Sequence, residues 1–284
     1  MTHNLRIGIP SKGRLSELAS ELLAQAGLNF RRQDRSLFAR VSQLPVDLTF
    51  LRTEDIPVLC AEGAIDIGIT GSDLVEESAA EVDIRMSLGV GRCKLALCVP
   101  DNSPWQNAKD LAGKRLATSF PNITQQYLTR HHTEVHMVNL SGSVEIMIQL
   151  GVADAIVDLV ETGSTLAANR LRIMTDIGHY ETVLIQNKEK REAVTVDRIV
   201  RRLEGVVIAR DYSLLEYNVP REQLAAAEAI TPGFKSPTIS ALEDPAWCAV
   251  RVMVRRQDVI SVMEKLEALG CSAILQTDIT NCRL

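Results

Sequence analysis

Residues 151–166 read GVADAIVDLVETGSTL, and no other stretch restricts the fold as strongly. The run at 153–160 is built from small and branched apolar residues, the composition of a strand buried on both faces. Thr162-Gly163-Ser164-Thr165 breaks that run, and a helical pattern resumes over 166–171. A buried strand that enters a helix through a short loop of small polar residues belongs to an α/β architecture.

Such a corner is suited to phosphate. Gly163 lets the backbone approach an anion closely. Free N–H groups and the positive end of the helix dipole face the anion. Thr162, Ser164 and Thr165 add hydroxyl donors. The same residues also make an ordinary strand-turn-helix corner with a Thr at the N-cap. Asp158, four residues before Thr162, separates the two readings. A phosphate repels a carboxylate, so an acid here needs sugar hydroxyls to accept from, or a Mg²⁺ on a diphosphate to help hold. Ribose, phosphate and diphosphate together describe phosphoribosyl diphosphate. Asp154 is expected on the same strand face as Asp158, but roughly 13 Å away along the strand. The two cannot grip one pair of hydroxyls, and Asp154 is the weaker contact. Glu161 directly precedes the loop, a spacing at which enzymes of a different fold have a base; that parallel is an analogy.

The chain has 284 residues, long enough for two or three domains. Its 46% hydrophobic and 24% charged residues are those of a soluble globular protein. Aromatics are only 4% and the net charge is −5, which argues against stacking on nucleic-acid bases or a general basic field. The six cysteines form no C-x-x-C pair, and the five histidines show no metal spacing. No apolar run approaches the ~20 residues of a membrane span, and no leader precedes LRIGIP. A cytoplasmic enzyme with reduced thiols is the expectation.

Taken in order, strands are expected at 5–9, 46–51 and 64–70, with helices from 15 to Gly27, from a Thr53 cap to Gly63, and from about Leu74. This β-α-β order argues a parallel sheet. Further strands are expected at 94–99, 115–118, 135–138, 172–174 and 182–186, with helices at 122–130 and 144–150. A charged helix over 188–209 returns the chain to the first lobe. These elements define a two-lobed core with two crossings, built like a periplasmic binding protein: lobe I from 1–92 plus 187–210, lobe II from 93–186. Residues 211–284 follow β-α-β-β-α-β order, with strands at 212–219, 236–242, 246–254 and 273–277 and helices at 221–230 and 258–269. That order is ferredoxin-like.

The run Glu145-x5-Gly151-x-Ala153-xx-Ile156-x-Asp158-Leu159-xx-Thr162-Gly163-x-Thr165-Leu166 resembles the ATP phosphoribosyltransferases, the first enzymes of histidine biosynthesis. SKGRL near the start and the SPT and ALG segments near the end extend the likeness over the chain, in the family's long form with its own regulatory domain. The resemblance implies transfer of a phosphoribosyl group to N1 of ATP, with Mg²⁺ carried mainly by substrate phosphates and no metal ligand assigned. It implies an ATP side made of Lys12, Gly13, Arg14, Arg52, Thr70, Gly71 and Ser72, and a ribose or metal contact from Glu145. Asp158, Lys12 and Arg14 are the expected catalytic groups, since two anionic substrates must be held together. Histidine feedback is implied through Asn218, Ser236, Thr238 and Ala273, although Asn218 lacks the charge an aspartate would offer. A homo-hexamer exchanging with a dimer is implied as well. The same pattern also suits two rivals: a non-catalytic two-lobed binding protein or sensor, and a phosphoribosyltransferase for another base.

Overall fold

The described residues form three β-sheets. The computed structural model describes residues 4–33, 36–42, 44–189 and 193–283. They divide into two compact units. The first holds the described residues up to Ser20 together with Asn29–Val196, and the second holds Glu21–Leu28 with the described residues from Asp197 onward.

The first unit contains two sheets. In one, the order is β2 (Phe38–Arg40), β3 (Val46–Leu51), β1 (Leu5–Pro10), β4 (Ile67–Gly71), β11 (Thr182–Asn187), β5 (Val82–Ser87). β1 is parallel to β3 and β4, whereas β2, β11 and β5 are antiparallel to their neighbours. The sheet is therefore mixed, not parallel throughout. Sequence patterning misses β2 and β5 for a physical reason: β2 is a three-residue edge strand, and neither strand buries alternate residues cleanly. α1 (Arg14–Gln25) follows the first strand, and Gly27 ends it in a left-handed conformation with φ 76°. Thr53 is not a helix cap. It opens a 3₁₀ turn, Thr53–Asp55, that runs into α2 (Ile56–Ala61). α3 (Ser72–Ser78) follows β4 directly.

The second sheet has the order β10 (Leu171–Tyr180), β6 (Cys93–Pro100), β9 (Ala155–Val160), β7 (Arg115–Thr118), β8 (His136–Asn139). Leu95, Leu97, Val99, Ala155 and Val157 pack on one face, and Ala96, Cys98 and Ile156 on the other. This two-sided burial is what the apolar run at β9 demands. β10 extends well beyond 172–174, because two bulges break the alternation that marks a strand in sequence. The expected helix at 144–150 is only a 3₁₀ turn, Val144–Ile146, entered through Ser143 at φ 52°. α4 (Pro121–Arg130) and α5 (Ser164–Ala168) follow β7 and β9. α5 starts earlier than 166 and is only five residues long.

The chain passes between these sheets twice, and the second crossing lies at Glu181. Thr182–Asn187 pairs within the first sheet, so lobe II ends before 182 and not at 186. The crossings meet: a Cβ on Gly91 would lie 2.5 Å from Thr182 Oγ1, and Arg92 Nε is 3.7 Å from the Glu181 carboxylate.

α6 is Ala193–Asp211, and from Asp197 onward it belongs to the second unit. The expected start at 188 is a turn instead, and residues 190–192 of that expectation lie outside the described residues. Then come β12 (Tyr212–Pro220), α7 (Leu224–Ile230), β13 (Thr238–Ala241), β14 (Trp247–Arg255), α8 (Val259–Ala268) and β15 (Ser272–Asp278). Sheet order is β13-β14-β12-β15 and every pairing is antiparallel, the ferredoxin-like arrangement. Leu215, Tyr217 and Val219 face a core shared with Ala227, Val262 and Leu266 from the two helices. The alternate residues Glu216 and Asn218 belong to the opposite face.

All six cysteines are unpaired thiols. Burial pushes Cys60 and Cys98 up to about 12, so neither supplies a reactive thiolate near neutral pH.

Candidate active site

β7 and β9 run parallel, so the loops that leave them emerge at the same edge of the second sheet. After β9, Glu161 and Thr162 turn the chain, and Gly163 adopts φ 79°, ψ 0°. That left-handed conformation is easy only for glycine. A Cβ on Gly163 would meet nothing within 4 Å, so the loop is open around it. Gly163, at the N-cap of α5, offers no side chain, and Ser164 N–H makes only a long contact of 3.5 Å to Thr162 Oγ1. Thr162 Oγ1 lies 3.1 Å from Ser164 Oγ, and Ser164 and Thr165 are exposed. Since α5 is so short, its dipole is weak. Loop amides and hydroxyls have to supply the anion binding that sequence reading assigned partly to the helix.

A pocket of about 410 Å³ covers this loop, with Glu145 and Asp158 beside Thr162, Gly163, Ser164 and Thr165. Asp158 is half-buried, and Leu159 N–H donates to its Oδ1 at 2.8 Å. Burial raises the Asp158 pKa, the Leu159 amide opposes that, and the Glu145 charge adds to it. Two acids thus share one polar pocket, which favours ligands that bring hydroxyl donors or positive charge.

Asp154 is not part of this arrangement. It precedes β9, and its carboxylate takes the Arg115 backbone N–H at 2.9 Å and the Arg115 guanidinium at 2.8 and 3.2 Å. The side-chain hydrogen bond from Arg115, with the backbone one, holds Asp154 below the usual carboxylate range. Its work is to join the starts of β7 and β9. Glu161 is exposed and accepts from Arg14 Nη1 at 2.8 Å, so a residue after β1 meets one after β9. Lys12 and Gly13 occupy the exposed turn before Arg14, with Gly13 at φ 76°.

On the first sheet, the Thr70-Gly71-Ser72 segment is largely consumed by packing. Thr70 is fully buried, and its hydroxyl donates to Thr53 O at 3.2 Å, so its side chain meets no ligand. Ser72 N–H donates to Glu181 O at 2.9 Å, and Ser72 Oγ accepts from Glu181 N at 3.1 Å. A Cβ on Gly71 would lie 2.0 Å from Asp73 Oδ1. Arg52 remains exposed at the start of its 3₁₀ turn. Sequence reasoning passed over Arg32. Its guanidinium lies 3.9 Å from the centre of the Phe50 ring, and its Nη1 donates to Ser11 O at 3.1 Å, beside Lys12. Only its place in the pair Arg31-Arg32 could have drawn notice.

In the ferredoxin-like domain, Asn218, Thr238 and Ala273 line one hollow of about 450 Å³ on the open sheet face, with Ser240 and a Glu216–Arg251 pair. Ser236 does not line it; it is exposed, beside the turn at Gly233.

A family model described as ATP phosphoribosyltransferase matches residues 52–205, and one described as HisG, C-terminal domain matches 209–281. An ATP phosphoribosyltransferase of Rhodopirellula baltica is 68% identical over 280 residues, covering 99% of this chain and 94% of that protein. The enzyme of the same name from Mycobacterium tuberculosis strain H37Rv is 42% identical over 285 residues, covering 98% of this chain and 99% of its own. Among solved structures, the ATP phosphoribosyl transferase (HisG:HisZ) complex from Thermotoga maritima aligns with a TM-score of 0.65 at 29% identity, over 72% of this chain and 98% of that one.

Proposed function

This chain belongs to the ATP phosphoribosyltransferase family, and from that premise we infer how its residues divide the work. The enzyme transfers the phosphoribosyl group of phosphoribosyl diphosphate to ATP, the first step of histidine biosynthesis. The adenine N1 lone pair forms a bond to C1′ as the C1′–O bond to diphosphate breaks, and diphosphate leaves with the electron pair. N1 is a nucleophile already, so catalysis consists mainly of holding two anions close together.

In our reading the 5′-phosphate sits on the loop from Thr162 to Thr165, and Asp158 accepts from the ribose hydroxyls. Glu145 assists from the same pocket. The observation that carries this reading is the open left-handed Gly163 with hydroxyls at one end of a pocket and two carboxylates at the other. The ATP side is Lys12, Gly13, Arg14 and Arg52, with Thr70, Gly71 and Ser72 supporting it from within; Arg32 adds a cation. Arg14 pairs with Glu161, and in this reading its guanidinium exchanges that partner for substrate phosphate.

Mg²⁺ is proposed as the cofactor. Among the described residues, no group of three or more acidic, histidine or cysteine side chains is arranged to hold a metal ion. The Glu145 and Asp158 carboxylates are hard oxygen donors that fit Mg²⁺ as supplementary ligands to diphosphate oxygens. When bound, Mg²⁺ neutralises charge on the leaving diphosphate. Histidine is proposed as a feedback inhibitor bound by Asn218, Thr238 and Ala273. A hexamer exchanging with dimers, and a cytoplasmic location, complete the reading. No helix among the described residues is long and apolar enough to cross a membrane.

The test mixes the protein with ATP, phosphoribosyl diphosphate and Mg²⁺, and follows a new ultraviolet-absorbing product and diphosphate release. Asp158→Asn is expected to lose turnover and stay folded. Full turnover in that variant removes Asp158 from the mechanism. Histidine added to the same assay is expected to slow the wild type, and Thr238→Ala to relieve that inhibition.

A further inference from the structure

α4 is a ten-residue helix whose own N-cap, Phe120, supplies no side-chain acceptor. Its first backbone donors are nevertheless all accounted for. Pro121, at the first position, has no N–H. Asn122 N donates to Glu77 Oε1 at 2.9 Å, and Ile123 N donates to Glu77 Oε2 at 3.0 Å. Thr124 N donates to Phe120 O at 3.0 Å. Asn122 Nδ2 donates in addition to Glu77 O at 2.8 Å. The cap of a helix on the second sheet is thus a carboxylate from α3, which follows the first sheet. Both of its oxygens are used, and each bond is charge-assisted.

Three further contacts tie α3 to the second lobe. Glu76 Oε2 accepts from Tyr180 OH at 3.0 Å. Leu74 packs against the core that contains Leu95, Leu116 and Val157. Ser72 exchanges its two hydrogen bonds with Glu181 at the crossing. A two-lobed protein hinged only by its crossing strands has none of these ties. Here a short helix of lobe I is fastened to lobe II along its length, and the Glu77 cap lies at the end away from the crossing.

We propose that Glu77 is a positioning residue for phosphoribosyl transfer: by capping α4 it fixes the angle between the lobes, and so the distance between adenine N1 and C1′. The proposal rests on the reading that the two substrates sit on opposite lobes. Transfer requires the reacting atoms to approach within about 3–3.5 Å, and a shift near 1 Å can lower the rate about 100-fold. Each substrate alone touches mainly one lobe, so its own binding does not sense that angle.

Glu77→Ala and Glu77→Gln, in the full-length protein, provide the test. The Gln side chain keeps one acceptor and loses the second. For Glu77→Ala, kcat is expected to fall roughly tenfold to 100-fold. The Kd for phosphoribosyl diphosphate with Mg²⁺, by calorimetry, is expected to stay within about twofold, because its loop belongs to one lobe. Hydrogen exchange at the amides of Asn122 and Ile123 is expected to accelerate, and Glu77→Gln to lie between wild type and Ala in each readout. Should Glu77→Ala not fold, the same split between kcat and Kd in Glu77→Gln decides. Unchanged kcat with accelerated exchange overturns the proposal, leaving Glu77 as a helix cap alone. A Kd that weakens in step with kcat overturns it too. A failure of the lobe assignment is recognised separately, by wild-type affinity for phosphoribosyl diphosphate in Gly163→Val.

Discussion

Thr-Gly-Ser occurs twice at strand-to-helix corners, at 70–72 where β4 runs into α3 and at 162–164 after β9. The sequence signature is the same and the physical outcome is opposite. Gly71 is extended, at φ −79°, and crowded by Asp73; Gly163 is left-handed, at φ 79°, with open space around it. Thr70 is buried against Thr53 O, whereas Thr162 is exposed. Ser72 is bonded to Glu181 on the crossing, whereas the Ser164 hydroxyl meets Thr162 of its own loop. One copy is a joint between lobes; the other stays open, and in our proposal it is the binding loop. A small-residue corner therefore announces a close approach of backbone to something, and the long-range partners decide whether that something is protein or ligand.

The largest effect expected from this contrast is at the two glycines. Gly163→Val should raise the Kd for phosphoribosyl diphosphate by more than about 100-fold, because a branched residue at φ 79° forces the loop into another shape. The cause is backbone strain and not crowding, since a Cβ there meets nothing. Gly163→Asn, which tolerates the left-handed region, should accordingly retain most of the affinity; equal loss in both would restore the crowding explanation. Gly71→Ala should lower thermal stability through the clash with Asp73 while leaving that Kd unchanged.

Next is Asp158→Asn, expected to lower turnover about 100-fold while raising the melting temperature of the substrate-free protein. The sign follows from the raised native pKa. A carboxylate harder to ionise when folded costs stability above its native pKa, and that cost disappears as pH falls below the unfolded value, about 3.9. The stabilisation of the Asn variant should therefore be present at neutral pH and fade in acid. An unchanged melting temperature at pH 7 would break the link between burial and function at this residue.

Thr70→Val should cost about 1–2 kcal/mol by leaving Thr53 O without its donor, with little change in the KM for either substrate. A KM for ATP raised tenfold would return Thr70 to the ligand side. The smallest effect is at Glu161→Gln. The Arg14–Glu161 pair is exposed, so stability should change by less than about 1 kcal/mol, measured by urea unfolding.

Much of this was legible in the amino-acid order. β3 and β7 have the bounds their apolar runs suggest, and the β-α-β-β-α-β order of the last domain is the observed topology. The pocket over Thr162–Thr165 forms around the residues that 151–166 singled out. What escaped shares one cause. Asp154 is taken by Arg115, 39 positions away; Ser72 by Glu181, 109 away; the start of α4 by Glu77, 45 away. Local periodicity carries no trace of such partners. β2 and β5 escaped because edge strands need not bury one face, and β10 because bulges reset its alternation.

The central claim is that only the second Thr-Gly-Ser corner seats the phosphoribosyl phosphate. Backbone amide exchange, followed residue by residue as phosphoribosyl diphosphate and Mg²⁺ are added, addresses it directly. Protection should appear at the amides of residues 162–166 and be absent at 70–74. Protection at 70–74 with none at 162–166 would contradict the account.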